Sequence, residues 1–340
     1  MSNAREIAQL GSIPSGRRNM LYNGAMQVAQ RGTSFASTSA PAYTLDRWYW
    51  NSQAEDVVTI EQSTDHPNGS GSSLKVTVTT ADASTTDDYA DIEQRIEGLD
   101  LQGLLYGTAD AKSLTLSFWV KSSETGDMAV GLYIPDDGRN IGSTVTISSA
   151  STWEYKTVTF AGDTTGVIDN DSGEGLRVWM HLLAGSDFTS VDNTAWGTYA
   201  GNRKAYGQTL NVIGTTSATF QLADVQLEVG SVATEFEHRS YGEELALCHR
   251  YYQNQDQQSL MSSYVTASGF HYASHDLPMQ MRANPSVTIT YQGAGGSLGT
   301  ATAPTVHAPS ISQTGFYVYK QAGAAGMGYT IYKYTTDAEL

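Results

Sequence analysis

The stretch that decides the fold is Ala218–Gln253, ATFQLADVQLEVGSVATEFEHRSYGEELALCHRYYQ. Phe220, Leu222, Val225 and Leu227 are apolar, with Gln221, Gln226 and Glu228 interleaved. Such alternation marks a β-strand. Gly230 ends it. Glu243, Glu244 and Leu245–Leu247 then read as a short helix, capped by Ser240 or Tyr241-Gly242 and running into Tyr251 and Tyr252. A strand that closes a domain, followed by a helical link into further β-structure, is organisation for display and binding. It does not read as a catalytic loop.

Working outward, the same period of two recurs at 57–62, 74–80 (LKVTVTT), 89–96, 114–120 (LTLSFWV), 128–134, 143–148, 154–160 (EYKTVTF) and 176–183. Residues 20–30 and 46–52 are further strand candidates, and 99–106 reads as a helical turn or loop crossing. Turns such as Pro67-Asn68-Gly69 and Asp136-Asp137-Gly138 separate them. Many short strands with Gly-rich turns predict a two-sheet sandwich over 19–238, whose first strand, 20–30, and last, 219–229, lie side by side. A helical linker over 239–253 leads to a smaller β-domain over 254–340. There 261–275, 286–291, 315–320 and 329–334 are the strand candidates, and 292–309 is a long loop. Residues 1–18 form an N-terminal arm, a candidate attachment element. A β-domain as thin as the second one needs copies of itself to bury its core, so an oligomer is expected.

The chain has 340 residues, with 35 Asp plus Glu against 19 Lys plus Arg, a net charge of −16. That balance argues against nucleic acid, whose recognition rests on basic groups facing phosphates, and against an anionic membrane. No apolar run reaches the roughly 18 residues of a spanning helix. The N-terminus lacks the apolar core of a secretory signal, so synthesis and folding in a cytoplasm are expected. The single cysteine, Cys248, excludes an internal disulfide and a thiolate zinc cluster, and reads as a small buried side chain.

Two resemblances follow from particular residues. Tyr22-Asn23-Gly24-Ala25-Met26, the late strand at 220–227, and the middle strands at 114–123 and 152–160 resemble the β-jelly-roll carbohydrate-binding modules, the galactose-binding-like sandwiches. More narrowly, Arg17-Arg18-Asn19 leading into YNGAMQVAQRGTSF (22–35), YTLDRWYW (43–50), AWGTYAG (195–201), the run at 225–253, LPMQMRANPSVT (277–288) and the terminal DAEL resemble tail-fibre-like virion proteins of marine tailed phages. The resemblance covers most of the chain, and its most specific part is 225–253. It implies an all-β, jelly-roll virion protein. Related jelly rolls hold a structural calcium beside the Asn-Gly, with acidic residues after it. Here Ala25, Met26 and Gln27 stand in those places. Only Asn23, through its carbonyl, and Asp224 remain as candidate metal ligands, fewer than calcium requires.

Sugar binding needs flat aromatic platforms and hydrogen-bonding side chains, because a pyranose has an apolar face ringed by hydroxyls. Trp119, Trp179, Trp48, Trp50 and Trp153 lie in strands and are assigned to the core. Trp196, Tyr199 and Tyr206 lie in the polar segment 187–208, and a loop aromatic is a better binding candidate than one in a strand. They are the candidate ligand-binding residues, weighed against a loop anchored by its own aromatics. The acid pairs Asp87-Asp88 and Asp136-Asp137 read as solvated turns. Of the seven His, only His271 and His275 are spaced by four, in a strand-and-turn context that does not form a compact site, and no P-loop occurs. No enzyme activity and no catalytic residue are expected, and no cofactor, calcium at Asn23 and Asp224 being the one candidate. The sequence thus points to a virion structural protein, in a tail fibre or tail appendage. It would be trimeric, joined to other virion proteins through its arm, and in contact with host surface glycans without catalysis. The competing reading is a head or tail decoration or adaptor that binds only protein.

Overall fold

In the segment Leu114–Ser122, alternate residues are sorted by solvent. Leu114, Leu116, Phe118 and Val120 are fully buried among apolar neighbours. Thr115, Ser117, Trp119 and Lys121 take the opposite side of the same strand. The computed structural model describes residues 17–36, 40–54, 57–67, 69–82, 86–298 and 302–340. Most of the arm expected at 1–18 lies outside the described residues. The backbone divides into two units, one running to Tyr241 and taking in Leu340, the other Gly242–Glu339.

In the first unit the strands, in chain order, are β1 (Ser34–Ala36), β2 (Ala42–Tyr43), β3 (Tyr49–Ser52), β4 (Val57–Ser63), β5 (Ser73–Thr80), β6 (Tyr89–Glu97), β7 (Leu114–Ser122), β8 (Gly126–Ile134), β9 (Arg139–Ile147), β10 (Glu154–Phe160), β11 (Glu174–Ala184), β12 (Gly197–Thr198) and β13 (Thr219–Val229). They form a six-stranded sheet, β1-β4-β5-β13-β7-β10, and a seven-stranded sheet, β12-β9-β8-β11-β6-β3-β2. All pairs are antiparallel. Trp48, Trp50, Ile92, Leu132 and Met180 meet Leu116, Phe118, Phe220 and Leu222 in one apolar core. This is the jelly-roll sandwich of an all-β protein, with β13 central in its sheet. The crossing at 98–104 is two 3-10 turns.

The expected opening strand at 20–30 is not a strand. Asn23 and Met26 take left-handed backbone angles, φ 55° and 56°, which break an extended run. The segment still lies beside β13: the Met20 amide donates to the Leu227 carbonyl at 2.9 Å, and the Val225 amide to the Gly24 carbonyl at 3.0 Å. Gly24 is required there, because a Cβ would stand 2.2 Å from the Val225 carbonyl oxygen.

The second unit begins with a helix. The short helix α1 (Ser186–Thr189) belongs to the loop after β11, and α2 (Tyr241–His249) opens the new unit, with Glu243 and Glu244 in its first turn. Cys248 on α2 is buried. β14 (Tyr252–Val265), β15 (Phe270–Asp276), β16 (Ser286–Gly296), β17 (Thr305–Val306), β18 (Gly315–Gln321) and β19 (Gly326–Asp337) form two three-stranded sheets, β14-β19-β16 and β15-β18-β17. The single strand expected at 261–275 is two, divided by a turn in which Ser268 has φ 63°. Part of the loop expected at 292–309 is strand, since β16 runs to Gly296. No helix among the described residues is long and apolar enough to cross a membrane.

Candidate functional site

The outer face of the six-stranded sheet carries the candidate site. Because Phe118 faces the core, Trp119 must face out. In the register of β7 with β10, Tyr155 lies directly opposite it. The two rings are 5.3 Å apart and inclined at 52°. Trp119 is half-buried, while Tyr155 is 44% exposed. Together they floor an open groove of about 610 Å³. A neighbouring hollow of about 280 Å³ shares Trp119 and is lined by His66, Pro67 and Trp153. The assignment of Trp119 and Trp153 to the core is therefore corrected. Adjacent residues of one strand cannot face the same side, and Phe118 already occupies the inner one.

One wall of the groove is the segment after β13. Phe236 and His238 pack edge to face at 5.0 Å. The segment is tied to outward-facing side chains of β13. Glu228 accepts from the Thr234 amide at 2.8 Å and its hydroxyl at 2.7 Å, and Gln226 accepts from the Glu237 amide at 2.8 Å. Burial alone would raise the pKa of Glu237. The amides of Arg18 and Asn19 and the Arg239 guanidinium outweigh it and hold the carboxyl below the usual range.

Trp153 of the neighbouring hollow is held by Asp65, which accepts from Lys121 at 2.8 Å, the Trp153 indole at 3.2 Å and Gln221 at 3.3 Å. The lysine hydrogen bond, helped by the indole, keeps this carboxyl ionised to lower pH than usual. The polar centre is Asp224. The register of β13 against β7 slips between Ala223 and Gln226, and Asp224 takes φ 48° in that bulge. Ser70 donates to its Oδ2. Its Oδ1 is buried without a hydrogen-bond partner, and burial raises its pKa. Chemically, the groove offers two flat rings beside a carboxylate acceptor.

Trp196, Tyr199 and Tyr206 do not form one platform. The Trp196 indole donates to the Ala161 carbonyl at 2.6 Å and meets Tyr106 edge-on at 5.8 Å, so it anchors its loop. Tyr199 packs on Tyr133 at 5.0 Å and Trp179 at 5.7 Å, and burial raises its hydroxyl pKa. Tyr206 alone is open, at 40% exposure. Their loop covers the centre of the outer face of the seven-stranded sheet. There Lys204 sits 2.7 Å from the Asp91 carboxylate and 3.4 Å from the centre of the Tyr89 ring. Trp179 and His181 lie buried in the same cluster. That face is closed, while the six-stranded sheet leaves Trp119 and Tyr155 open.

Asn23 and Asp224 are not brought onto a common ion. The Asn23 side-chain oxygen accepts from the Val28 amide at 2.9 Å, and its carbonyl accepts the Trp48 indole at 2.9 Å and the Met26 amide at 3.0 Å. Both oxygens brace the turn, and Asp224 turns to Ser70. These residues do not fit a calcium site. No cluster of three or more His, Cys, Asp or Glu suited to a metal occurs among the described residues.

No family model and no curated protein matches the sequence. Solved structures similar to this chain include the enzymatically active domain of bacteriophage CBA120 tailspike protein 4, at 13% identity and TM-score 0.33, with 62% of this chain and 21% of that one covered. The chain thus spans about a fifth of that tailspike domain. TmCBM61, solved in complex with β-1,4-galactotriose, is similar at 9% identity and TM-score 0.32, covering 63% of this chain and 100% of that one. The xylan-binding domain CBM22-1 from Paenibacillus barcinonensis is similar at 10% identity and TM-score 0.32, covering 64% and 100%.

Proposed function

We propose that this chain is a non-catalytic structural part of a tailed-phage virion, in a tail fibre or tail appendage, that contacts host surface glycans. The observation that carries the glycan reading is the Trp119–Tyr155 pair, held on a rigid sheet face beside the buried acceptor Asp224. Flat rings match the C–H face of a pyranose, and a carboxylate accepts from its hydroxyls. Placement in a virion rests on the sequence of 225–253 and the other matching stretches. One groove of this shallowness binds weakly. In a trimer, attached to other virion proteins through residues 1–18, several grooves act together and avidity replaces affinity.

The test is binding of the purified protein to host cells and to immobilised host polysaccharide, with Trp119→Ala beside the parent protein. Binding that falls at least tenfold in the variant, at unchanged melting temperature, supports the reading. Equal binding by both proteins removes the groove from it.

A second reading is a head or tail decoration or adaptor protein with no glycan ligand. The exposed Leu260, Tyr264, Tyr272 and Met327 of the second unit, at 61–68% exposure, favour it, since such side chains on strands suit protein contacts. Failure to bind any host glycan at high valency, together with capture of another virion protein, would decide for it.

A further inference from the structure

The groove carries information about ligand charge. Asp224 is 6% exposed, yet one of its carboxylate oxygens has no hydrogen-bond partner. A buried polar atom takes a hydrogen-bond partner wherever the fold, water or a ligand offers one. Here the bulge in β13 explains the position of the residue but not its unmet oxygen. Ser70 satisfies Oδ2 and leaves Oδ1 to something else. Asp224 also lines the groove that Trp119 and Tyr155 floor.

The electrostatic setting is one-sided. Of the groove-lining residues, Asp224 and Glu235 carry formal charge, and both are acidic. His66 and His238 lie close enough to act on the Asp224 carboxyl. Lys121, beside Trp153 of the neighbouring hollow, is paired with Asp65. An anionic sugar would bring a second negative charge against a buried carboxylate with no Lys or Arg among the described groove-lining residues to offset it. An uncharged sugar brings hydroxyl donors, which a carboxylate accepts strongly.

Resting on the glycan reading above, we infer that the groove selects uncharged pyranosides over acidic ones, and that Asp224 is the specificity-determining acceptor for a sugar hydroxyl. The aromatic pair supplies contact with the ring face. Asp224 sets which ring is admitted.

The experiment titrates the full chain by calorimetry with two probe sets of equal length: neutral hexose oligosaccharides, and oligomers of glucuronate and galacturonate. The parent protein, Asp224→Asn, Ser70→Ala and Trp119→Ala are compared, each first melted to confirm folding. The parent is expected to bind neutral probes at least tenfold more tightly than uronates. Asp224→Asn is expected to lose most of that ratio, through weaker neutral binding and stronger uronate binding. Ser70→Ala keeps the charge but removes the donor that orients the carboxylate, and is expected to weaken neutral binding while still rejecting uronates. Binding that depends on Trp119 but ignores ligand charge and Asp224 overturns this inference and leaves the glycan reading standing. Neutral binding indifferent to Trp119, or no binding by any probe, overturns both.

Discussion

The two units bury their strands to different depths. In the first, two broad sheets close on Trp48, Trp50, Phe118, Phe160 and Phe220, and its most exposed large apolar side chains, Val232, Val167 and Tyr241, are scattered outside the strands. In the second, two three-stranded sheets enclose Tyr332, Tyr334, Met261 and Phe316, with His275 bonded to the Tyr332 hydroxyl at 2.7 Å. Most of its exposed large apolar residues stand on strands, Leu260 and Tyr264 on β14, Met327 and Tyr329 on β19, Phe270 and Tyr272 on β15, while Met279 lies in a loop. Small sheets have too much surface for their volume. A large sandwich can dedicate an outer face to a ligand while its core keeps it folded. The small one leaves apolar sheet faces for further burial.

The sharpest way to break this comparison is to attack the closed outer face of the first unit. Lys204→Ala strands the buried Asp91 carboxylate and is expected to cost about 3–5 kcal/mol, read by urea unfolding. A loss below about 1 kcal/mol would mean that this face is open rather than filled. Trp196→Ala removes a loop anchor with its hydrogen bond to Ala161 and its contact with Tyr106. It is expected to cost about 2–3 kcal/mol while leaving glycan binding unchanged. Lost binding at unchanged stability would restore Trp196 as a ligand platform.

The second unit is tested by association. Replacing Tyr264 and Tyr272 together by Ser should weaken self-association about tenfold or more by sedimentation, a change of about 1.4 kcal/mol. A parent protein that sediments as a monomer at micromolar concentration would show that these faces need no second copy.

The smallest effect concerns Asp224. Its folded pKa is raised by burial, so in the window between its unfolded and folded values the native state holds more protons than the unfolded state. Its stability contribution therefore falls as pH rises through that window. Asp224→Asn should raise stability by about 1 kcal/mol at neutral pH, with the gain fading toward acid. Thermal melts of the pair across pH 3–7 check the sign.

Much of the fold could be read along the chain because period-two alternation is local. The runs 154–160 and 219–229 match β10 and β13 residue for residue. The same alternation already contained the site: in LTLSFWV, Phe118 inward requires Trp119 outward, and in EYKTVTF, Val158 and Phe160 inward send Tyr155 out. Treating every strand aromatic as core hid both. The loop at 187–208 misled in the opposite direction. Its polarity reads as exposure, but Lys204, Tyr199 and Trp196 each find a partner distant in sequence, at Asp91, Tyr133 and Ala161.

By itself, the sequence determined the all-β class, the positions of most long strands of the first unit, the helix after β13, and an acidic charge balance unsuited to phosphates. These follow from local periodicity, turn residues and summed charge, none of which needs a partner far along the chain. Tertiary structure alone decided which outer face is open. The bulge that turns Asp224 out of register, the pairing of Trp119 with Tyr155, and the loop that closes the seven-stranded sheet all depend on neighbours tens of residues away. Those contacts exist only once the two sheets have packed.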